Sequence, residues 1–270
     1  MSTDYRIQEL LAVEVSRHLI DEEVVFIGIG TGGPAFIRAV GIPLTACRLA
    51  QLSHAPNLVP MLGPLIDPDL DTLPSSLRDD YELVHWHSKA QIPEQEALDV
   101  FKRGKMGVGF VSGAQIDPYG NLNIVAIGDY DKPKVRLVGP LAQTDHCAFA
   151  KRTFITMEHT KRQFVEKVDF ISGAGYLGGP GERDRVGLRQ GGPGLVFTDY
   201  CVLDFDEKTA RMKIKSLHPG VALETVVENT GFELIISDDI EVTPEPTSTQ
   251  IELIRQRIDP EGLLLEARVQ

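Results

Sequence analysis

The run Val24-Val25-Phe26-Ile27 breaks directly into Gly28-Ile29-Gly30-Thr31-Gly32-Gly33-Pro34, and that junction narrows the fold more than any other stretch. Four apolar residues without polar alternation predict a strand buried on both faces, as in a parallel sheet. The glycines supply a tight turn, and a proline is tolerated in the first turn of the helix that should follow. Strand, turn and helix in this order predict an α/β protein: an open, mainly parallel sheet flanked by helices. Backbone N–H groups at such a turn can face an anion or an acyl oxygen. Gly28, Gly30, Thr31, Gly32 and Gly33 are therefore candidate ligand contacts, although the same glycines also suit a close-packed turn. The segment lacks the full dinucleotide fingerprint, which argues against a nicotinamide enzyme.

Apolar residues at helical spacing predict a helix over 4–20 and another over 35–40, or onward to about 52. Residues 58–66 are apolar but punctuated by Pro60, Gly63 and Pro64, which predicts an edge strand or one that ends early. Residues 83–87 alternate as a strand would, placing His85 and His87 on one face beside Trp86. A helix over 94–103 and a strand over 106–111 lead to Asp117-Pro118-Tyr119-Gly120-Asn121, a turn by composition. Further strands are expected at 153–157, 168–171 and 195–199, then a hairpin from 202–205 to 212–216. A helix over 223–229 should end near Gly231 as its cap. With no repeat and no linker, residues 1–270 read as one domain.

The chain carries 27 basic against 39 acidic residues, a net charge of −12, which disfavours nucleic acid or an anionic membrane as its main partner. Cys47, Cys147 and Cys201 are too few and scattered for a disulfide framework or a zinc site, so a reducing, cytoplasmic setting fits. Polar residues interrupt the first 20 positions, unlike an export signal, and no run approaches the roughly 20 apolar residues of a membrane span. His85 and His87 lack further ligands, so no metal is expected. His146 beside Cys147 could mimic a catalytic pair but reads better as structure.

A specific resemblance begins at Gly113-Ala114-Gln115-Ile116-Asp117-Pro118-Tyr119-Gly120-Asn121-Leu122-Asn123 and continues through Ile127-Gly128-Asp129-Tyr130 and Lys132-Pro133-Lys134. It carries on in order through Lys161-Arg162-Gln163-Phe164, Gly179-Pro180-Gly181-Glu182-Arg183, Thr198-Asp199, 203–209, His218-Pro219, 228–232 and Ile258-Asp259-Pro260. Over nearly its whole length the chain resembles the β-type subunits of class I CoA-transferases, such as those of glutaconate CoA-transferase. The resemblance implies an α-type partner subunit, an αβ or α2β2 assembly, and an active site at the subunit junction. It implies an acyl-CoA substrate, with coenzyme A entering as part of that substrate and no permanently bound cofactor. In transferring members a glutamate of the β-type chain attacks the thioester, so that one difficult exchange becomes two acyl transfers.

That glutamate is missing here. Counting forward from His54-Ala55-Pro56 puts Gly63 at its position, and counting back from Asp67-Pro68 puts Leu62 there. No Glu, Asp, Cys or Ser occurs from 58 to 66. The resemblance therefore implies a hydrolase or lyase derivative, such as one hydrolysing a carbon–carbon bond of a β-keto acyl-CoA. CoA transfer with a nucleophile from the α-type subunit, and a non-catalytic role, are the alternatives. Ser216-Leu217-His218-Pro219 and Val165-Glu166-Lys167-Val168-Asp169 are similar to a steroid-ring-cleaving branch, whereas Ile116-Asp117-Pro118-Tyr119 is similar to the glutaconate branch.

Gly113 and Ala114, just after a strand, are the candidate oxyanion donors. Gln115 is expected to position the acyl group or to brace the loop, and Asp117 to hold the turn. Asn121 is counted with the glycines as a contact for coenzyme A. Lys161-Arg162 and Arg183-Asp184-Arg185 could meet phosphates or a partner's carboxylates, though exposed basic pairs usually do neither.

Overall fold

The expected strand after the first helix is present as β1 (Val24–Ile27), buried along its last three residues. The computed structural model describes residues 4–28, 34–77, 80–188 and 190–266. Packing divides the chain into two compact units, one of residues 1–110 with 244–270 and the other of 111–243.

In the first unit β1 lies between β2 (Val59–Leu62) and β5 (Val108–Val111), parallel to both. Beyond β2 run β3 (Leu65–Pro68) and β4 (Ser88–Gln91), each antiparallel to its neighbour. The helix Ile7–Arg17 packs on a helical stretch whose last part is Ile42–Gln51, preceded by a π-helical turn at Ile37–Gly41. The longer of the two expected helices thus forms, because Pro43 falls in the first turn of its final segment. A Cβ on Gly41 would run into the backbone carbonyl of Leu264, so only glycine admits the C-terminal segment there. Buried Glu9 binds Arg6 and Arg255, tying the first helix to that same segment. Burial alone would raise the Glu9 carboxyl, but bonds from Arg255 and Arg6 prevail and hold it at about 2.

One expectation fails in this unit and another is met by its second alternative. The strand holding Pro60 is internal and not at an edge, and it ends early, at Leu62. Val59 and Gly63 donate to Glu23 and Ile27 on the β1 side, so the N–H that Pro60 lacks would face β3. There the registered pairs stop at Met61 and Ile66, and Asp67 turns away with φ +48°. Residues 80–85 are a helix (Asp80–His85), not a strand. Leu83 and Trp86, three apart, are buried, while His85 and His87 are both exposed.

The second unit holds β10 (Arg152–Thr156), β11 (Pro193–Phe197), β12 (Cys201–Phe205), β13 (Met212–Leu217) and β14 (Glu241–Val242), in that order. The outer pairs are parallel and the β11–β12–β13 meander is antiparallel. Two small ribbons accompany them, β6 (Gln115–Ile116) with β7 (Leu122–Asn123), and β8 (Ala126–Ile127) with β9 (Val135–Arg136). Ile116, Leu122, Phe164, Val196, Leu203 and Met212 belong to its core.

Residues 168–171 form no strand, against expectation. Gly231 is not a left-handed cap: the helix Leu223–Glu228 ends at Asn229, and Gly231 is small because Phe164's carbonyl oxygen sits where its Cβ would be. Among the described residues no helix is long and apolar enough to cross a membrane. The α/β architecture is thus the expected one, a mixed and mostly parallel sheet flanked by helices.

Candidate active site

The candidate residues fall into two groups, one in each unit. In the first, parallel pairing aligns Ile27 with Leu62, so Gly28 and Gly63 follow neighbouring strand ends. Carboxyl ends of parallel strands are where open α/β sheets present ligands. A Cβ on Gly28 would meet no described atom within 4 Å, so this glycine is not demanded by close packing. Gly30, Thr31, Gly32 and Gly33 lie outside the described residues.

Leu62 is buried at 1% exposure and closes a hairpin with Leu65. Gly63, at φ +54°, and Pro64 are its two loop residues. Positive φ at the first and the fixed negative φ of proline at the second make a II′ turn, which asks for glycine first. Of the two positions expected to stand in for the carboxylate, Gly63 is therefore shaped for a glycine and Leu62 is buried. The next acid, Asp67, is held by Gln51 and Lys89. Gly63→Glu should destabilise the protein by about 1–2 kcal/mol, the left-handed penalty of a side chain. The variant should gain no glutamyl adduct with acyl-CoA, checked by intact mass after borohydride treatment.

In the second unit the Ala114 N–H donates to Asn123's carbonyl at 2.9 Å. Of the two expected oxyanion donors, Gly113 alone has an amide without an acceptor among the described residues. A Cβ at Gly113 would sit 3.1 Å from Leu122 Cδ2 and 3.2 Å from Gln115's carbonyl oxygen, which makes the glycine a snug fit. Gln115 is 6% exposed. Its Nε2 donates to Asp169 Oδ2 at 3.0 Å, and its Oε1 accepts from Asn123 Nδ2 at 2.7 Å and from the Asp169 N–H at 3.1 Å. Of its two expected roles, these contacts supply the bracing one.

Behind the loop, Gln143 Nε2 donates to Ser112's carbonyl at 2.7 Å and Gln143 Oε1 lies 2.6 Å from the Ser172 hydroxyl. That hydroxyl accepts from the Ile124 N–H at 3.0 Å. Sequence reasoning missed Gln143, Ser172 and the bracing role of Asp169. Asp169 is 54 residues from Gln115, and no local pattern joins them.

Asn121 was expected to touch coenzyme A, but it is buried at 1% exposure with both ends of its amide used internally. Its Nδ2 donates to Asp117 Oδ2 at 2.8 Å and to Leu177's carbonyl at 2.9 Å, while its Oδ1 accepts from the Gly175 and Leu177 N–H groups. It anchors a loop. Asp117 holds the turn as expected, accepting from the Tyr119 and Asn121 N–H groups. Burial pushes its carboxyl up to about 6, against the lowering effect of bonds from Asn121 and Tyr119, and Glu166 pushes the same way as burial.

Arg183 is likewise internal, donating to the carbonyls of Ala174, Gly175, Cys147 and Gln190, and Arg185 pairs with Glu182. Arg183 is thereby committed to the fold, whereas Arg185 remains exposed. Lys161 and Arg162 are exposed.

A pairing absent from the sequence reading is buried His159, whose ring nitrogens lie 3.0 Å from Thr198 Oγ1 and 2.9 Å from Thr230 Oγ1. Cys201 Sγ is 3.7 Å away. Burial lowers the imidazole to about 4 and pushes the thiol up to about 12, so neither is poised to react. His146 and Cys147 are also buried, and burial pushes that thiol up to about 12. Among the described residues no group of three His, Cys, Asp or Glu could hold a metal.

Asp117 and His159 bias stability oppositely with pH. The raised Asp117 value contributes stability that is full below its ordinary 3.8 and lost as pH rises through about 6. The depressed His159 value contributes stability that is full above its ordinary 6.5 and lost as pH falls through about 4. The two largely offset between these limits. In His159→Gln only the Asp117 contribution remains, so acidifying from pH 7 to 5 should change unfolding free energy by about 1–2 kcal/mol more favourably than in the wild type. Urea midpoints of both proteins at both pH values test this.

Residues 8–229 match the sequence profile of the family described as Coenzyme A transferase. Over 96% of its length and 94% of the relative's, the chain is 35% identical to the β-type subunit of glutaconate CoA-transferase from Acidaminococcus fermentans. The crystal structure of that enzyme superposes with a TM-score of 0.85 over all of both chains, at 32% identity. The chain is also 31% identical to the cholesterol ring-cleaving hydrolase IpdB subunit of Rhodococcus jostii, over 82% of its own length and 83% of the relative's. The decarboxylase AibA/AibB, with a TM-score of 0.79 over 97% of this chain and 100% of that one, shares the fold at 22% identity.

Proposed function

The chain belongs to the coenzyme A transferase family, and from that premise we propose that it is the β-type half of a heteromeric hydrolase or lyase acting on an acyl-CoA thioester. One observation carries this reading: the strand end where transferring relatives place a glutamate is here a Leu62-Gly63-Pro64 hairpin turn without a nucleophile. Without it the chain cannot form a glutamyl thioester there, but an amide such as Gly113's can still stabilise negative charge on a thioester oxygen. The acid or base then comes from the α-type subunit, an arrangement suited to general acid–base chemistry.

For a β-keto acyl-CoA, water adds to the keto carbon and the bond to the α-carbon breaks. The electron pair moves into the thioester as an enolate, which the amide holds until the α-carbon is protonated. A carboxylate and a shortened acyl-CoA result. The resemblance to a ring-cleaving hydrolase subunit supports this class. The stronger identity to a transferase subunit favours the second reading, CoA transfer through a carboxylate of the α-type chain.

Borohydride trapping of the assembled enzyme with its acyl-CoA separates the two. The proposal expects no reduced carboxylate in either subunit and one ¹⁸O from labelled water in the carboxylate product. A trapped carboxylate in the α-type chain would establish transfer instead.

A further inference from the structure

Ser112's carbonyl and Gly113's N–H belong to one peptide group, and no described peptide bond is cis. In a trans peptide the two point in opposite directions across a shared plane. Whatever holds the carbonyl therefore aims the N–H. That carbonyl accepts from Gln143 Nε2 at 2.7 Å, on the buried side, where Gln143 is 7% exposed. Gly113 is only half-buried, and its N–H points the other way, without an acceptor among the described residues.

The Gln143 amide has one workable orientation at this spot. A carbonyl only accepts, so the Gln143 nitrogen must face Ser112 and its oxygen must face Ser172. The Ser172 hydroxyl donates to that oxygen at 2.6 Å, with Leu122's carbonyl the longer contact at 3.0 Å, and accepts from the Ile124 N–H at 3.0 Å. Thr144 Oγ1 donates to Ser172's carbonyl at 2.9 Å, tying the serine to the helix Gln143–Phe149 that carries the glutamine. A Cβ on Gly173 would stand 3.3 Å from Gln143 Oε1, so glycine there leaves the amide its room.

We infer that Gln143 is a positioning residue: through Ser112's carbonyl it sets the peptide plane that aims the Gly113 N–H at a thioester oxygen. The inference rests on the oxyanion reading above and adds the side chain that presets the amide. Two physical effects follow. A donor on the carbonyl side draws electron density along the peptide group and strengthens the N–H, the polarisation that runs along hydrogen-bond chains. A plane held by its buried edge also needs no reorientation as negative charge develops, which is where such donors surpass water. Gln115 differs, because its bonds to Asp169 and Asn123 brace the loop beyond Ala114 and do not touch this peptide group.

Ser112-Gly113 and Ser172-Gly173 are the only Ser-Gly pairs in the sequence. Carbonyl-¹³C serine with ¹⁵N glycine therefore leaves two amides visible in a carbonyl-filtered spectrum of the assembled enzyme, and Gly113→Ala identifies one by its loss. Gln143→Met and Gln143→Glu both remove the donor, and Gln143→Glu keeps an acceptor for Ser172. In each, the Gly113 ¹⁵N signal should move upfield, since a hydrogen bond on the preceding carbonyl deshields that nitrogen. Turnover is read with the fastest substrate from a panel of saturated and β-keto acyl-CoA thioesters. There kcat should fall about 10–100-fold at nearly unchanged KM. Arg183→Met loosens the same helix at Cys147's carbonyl without touching this peptide group, and should leave the signal in place. An unmoved Gly113 signal in both Gln143 variants, kcat within about twofold of the wild type, or equal movement in Arg183→Met would overturn the positioning role. Full kcat in Gly113→Pro would instead remove the oxyanion reading, and this inference with it.

Discussion

Arg183→Met should lower the unfolding free energy by about 3 kcal/mol, read as a shift of the urea midpoint with an unchanged slope. The guanidinium is 7% exposed and donates to four backbone carbonyls, those of Ala174, Gly175, Cys147 and Gln190. Cys147 lies in the helix Gln143–Phe149, so its oxygen is among the final four carbonyls that lack a partner within the helix. A cation there also meets the negative end of the helix dipole.

Removing the side chain strands these acceptors, and each buried orphan costs about 1–3 kcal/mol. Two effects work the other way. Burial disfavours the charge, lowering the Arg183 pKa, and the buried Nε has no hydrogen-bond partner. Methionine relieves both, which is why the expected loss is nearer 3 kcal/mol than the sum of four orphans. Arg183→Lys should recover little, since an ammonium cannot fork to four oxygens spread over three segments. Weakened acyl-CoA binding at unchanged stability would instead return Arg183 to the ligand-binding role suggested by its position among basic residues.

That contrast marks where the sequence was informative. Val24–Ile27 before a glycine run announced a buried parallel strand, because only burial on both faces removes polar alternation. The empty nucleophile position was legible too, since absence of an acid from 58 to 66 needs no structure to see. What could not be read was commitment. Asn121, Arg183 and the Ala114 amide all looked available as names in a string, yet each finds its partners in the fold.

Such partners are distant in sequence: Leu177 lies 56 residues from Asn121, and Cys147 lies 36 from Arg183. Composition cannot supply them. Residues 80–85 failed differently. So short a run does not fix its own period, but buried Leu83 and Trp86, three apart, share a face only on a helix. Exposure of Val138 and Leu141, just past the β8–β9 ribbon, gave no signal, because it is a tertiary fact.

Gly113→Pro should reduce kcat of the assembled enzyme by about 10²–10³-fold, the loss associated with removing one oxyanion donor. Proline deletes the N–H, whereas Gly113→Ala keeps it and adds only a Cβ, so the pair separates electrostatics from crowding. The alanine Cβ would stand 3.1 Å from Leu122 Cδ2, a side-chain end able to yield, and 3.2 Å from Gln115's carbonyl oxygen, which is less able. Some loss is therefore expected from alanine, within about tenfold, equivalent to about 1.4 kcal/mol. KM should change little in either variant, because the amide acts where charge develops and not on the ground-state thioester.

The bracing around Gly113 makes this measurable. With Ser112's carbonyl bonded to Gln143 and the Ala114 N–H to Asn123, the loop is held on both sides of the altered residue, so assembly should survive both changes. Equal loss in alanine and proline variants would mean that shape, not the N–H, is what this glycine provides. Full activity in the proline variant would remove Gly113 from the chemistry altogether.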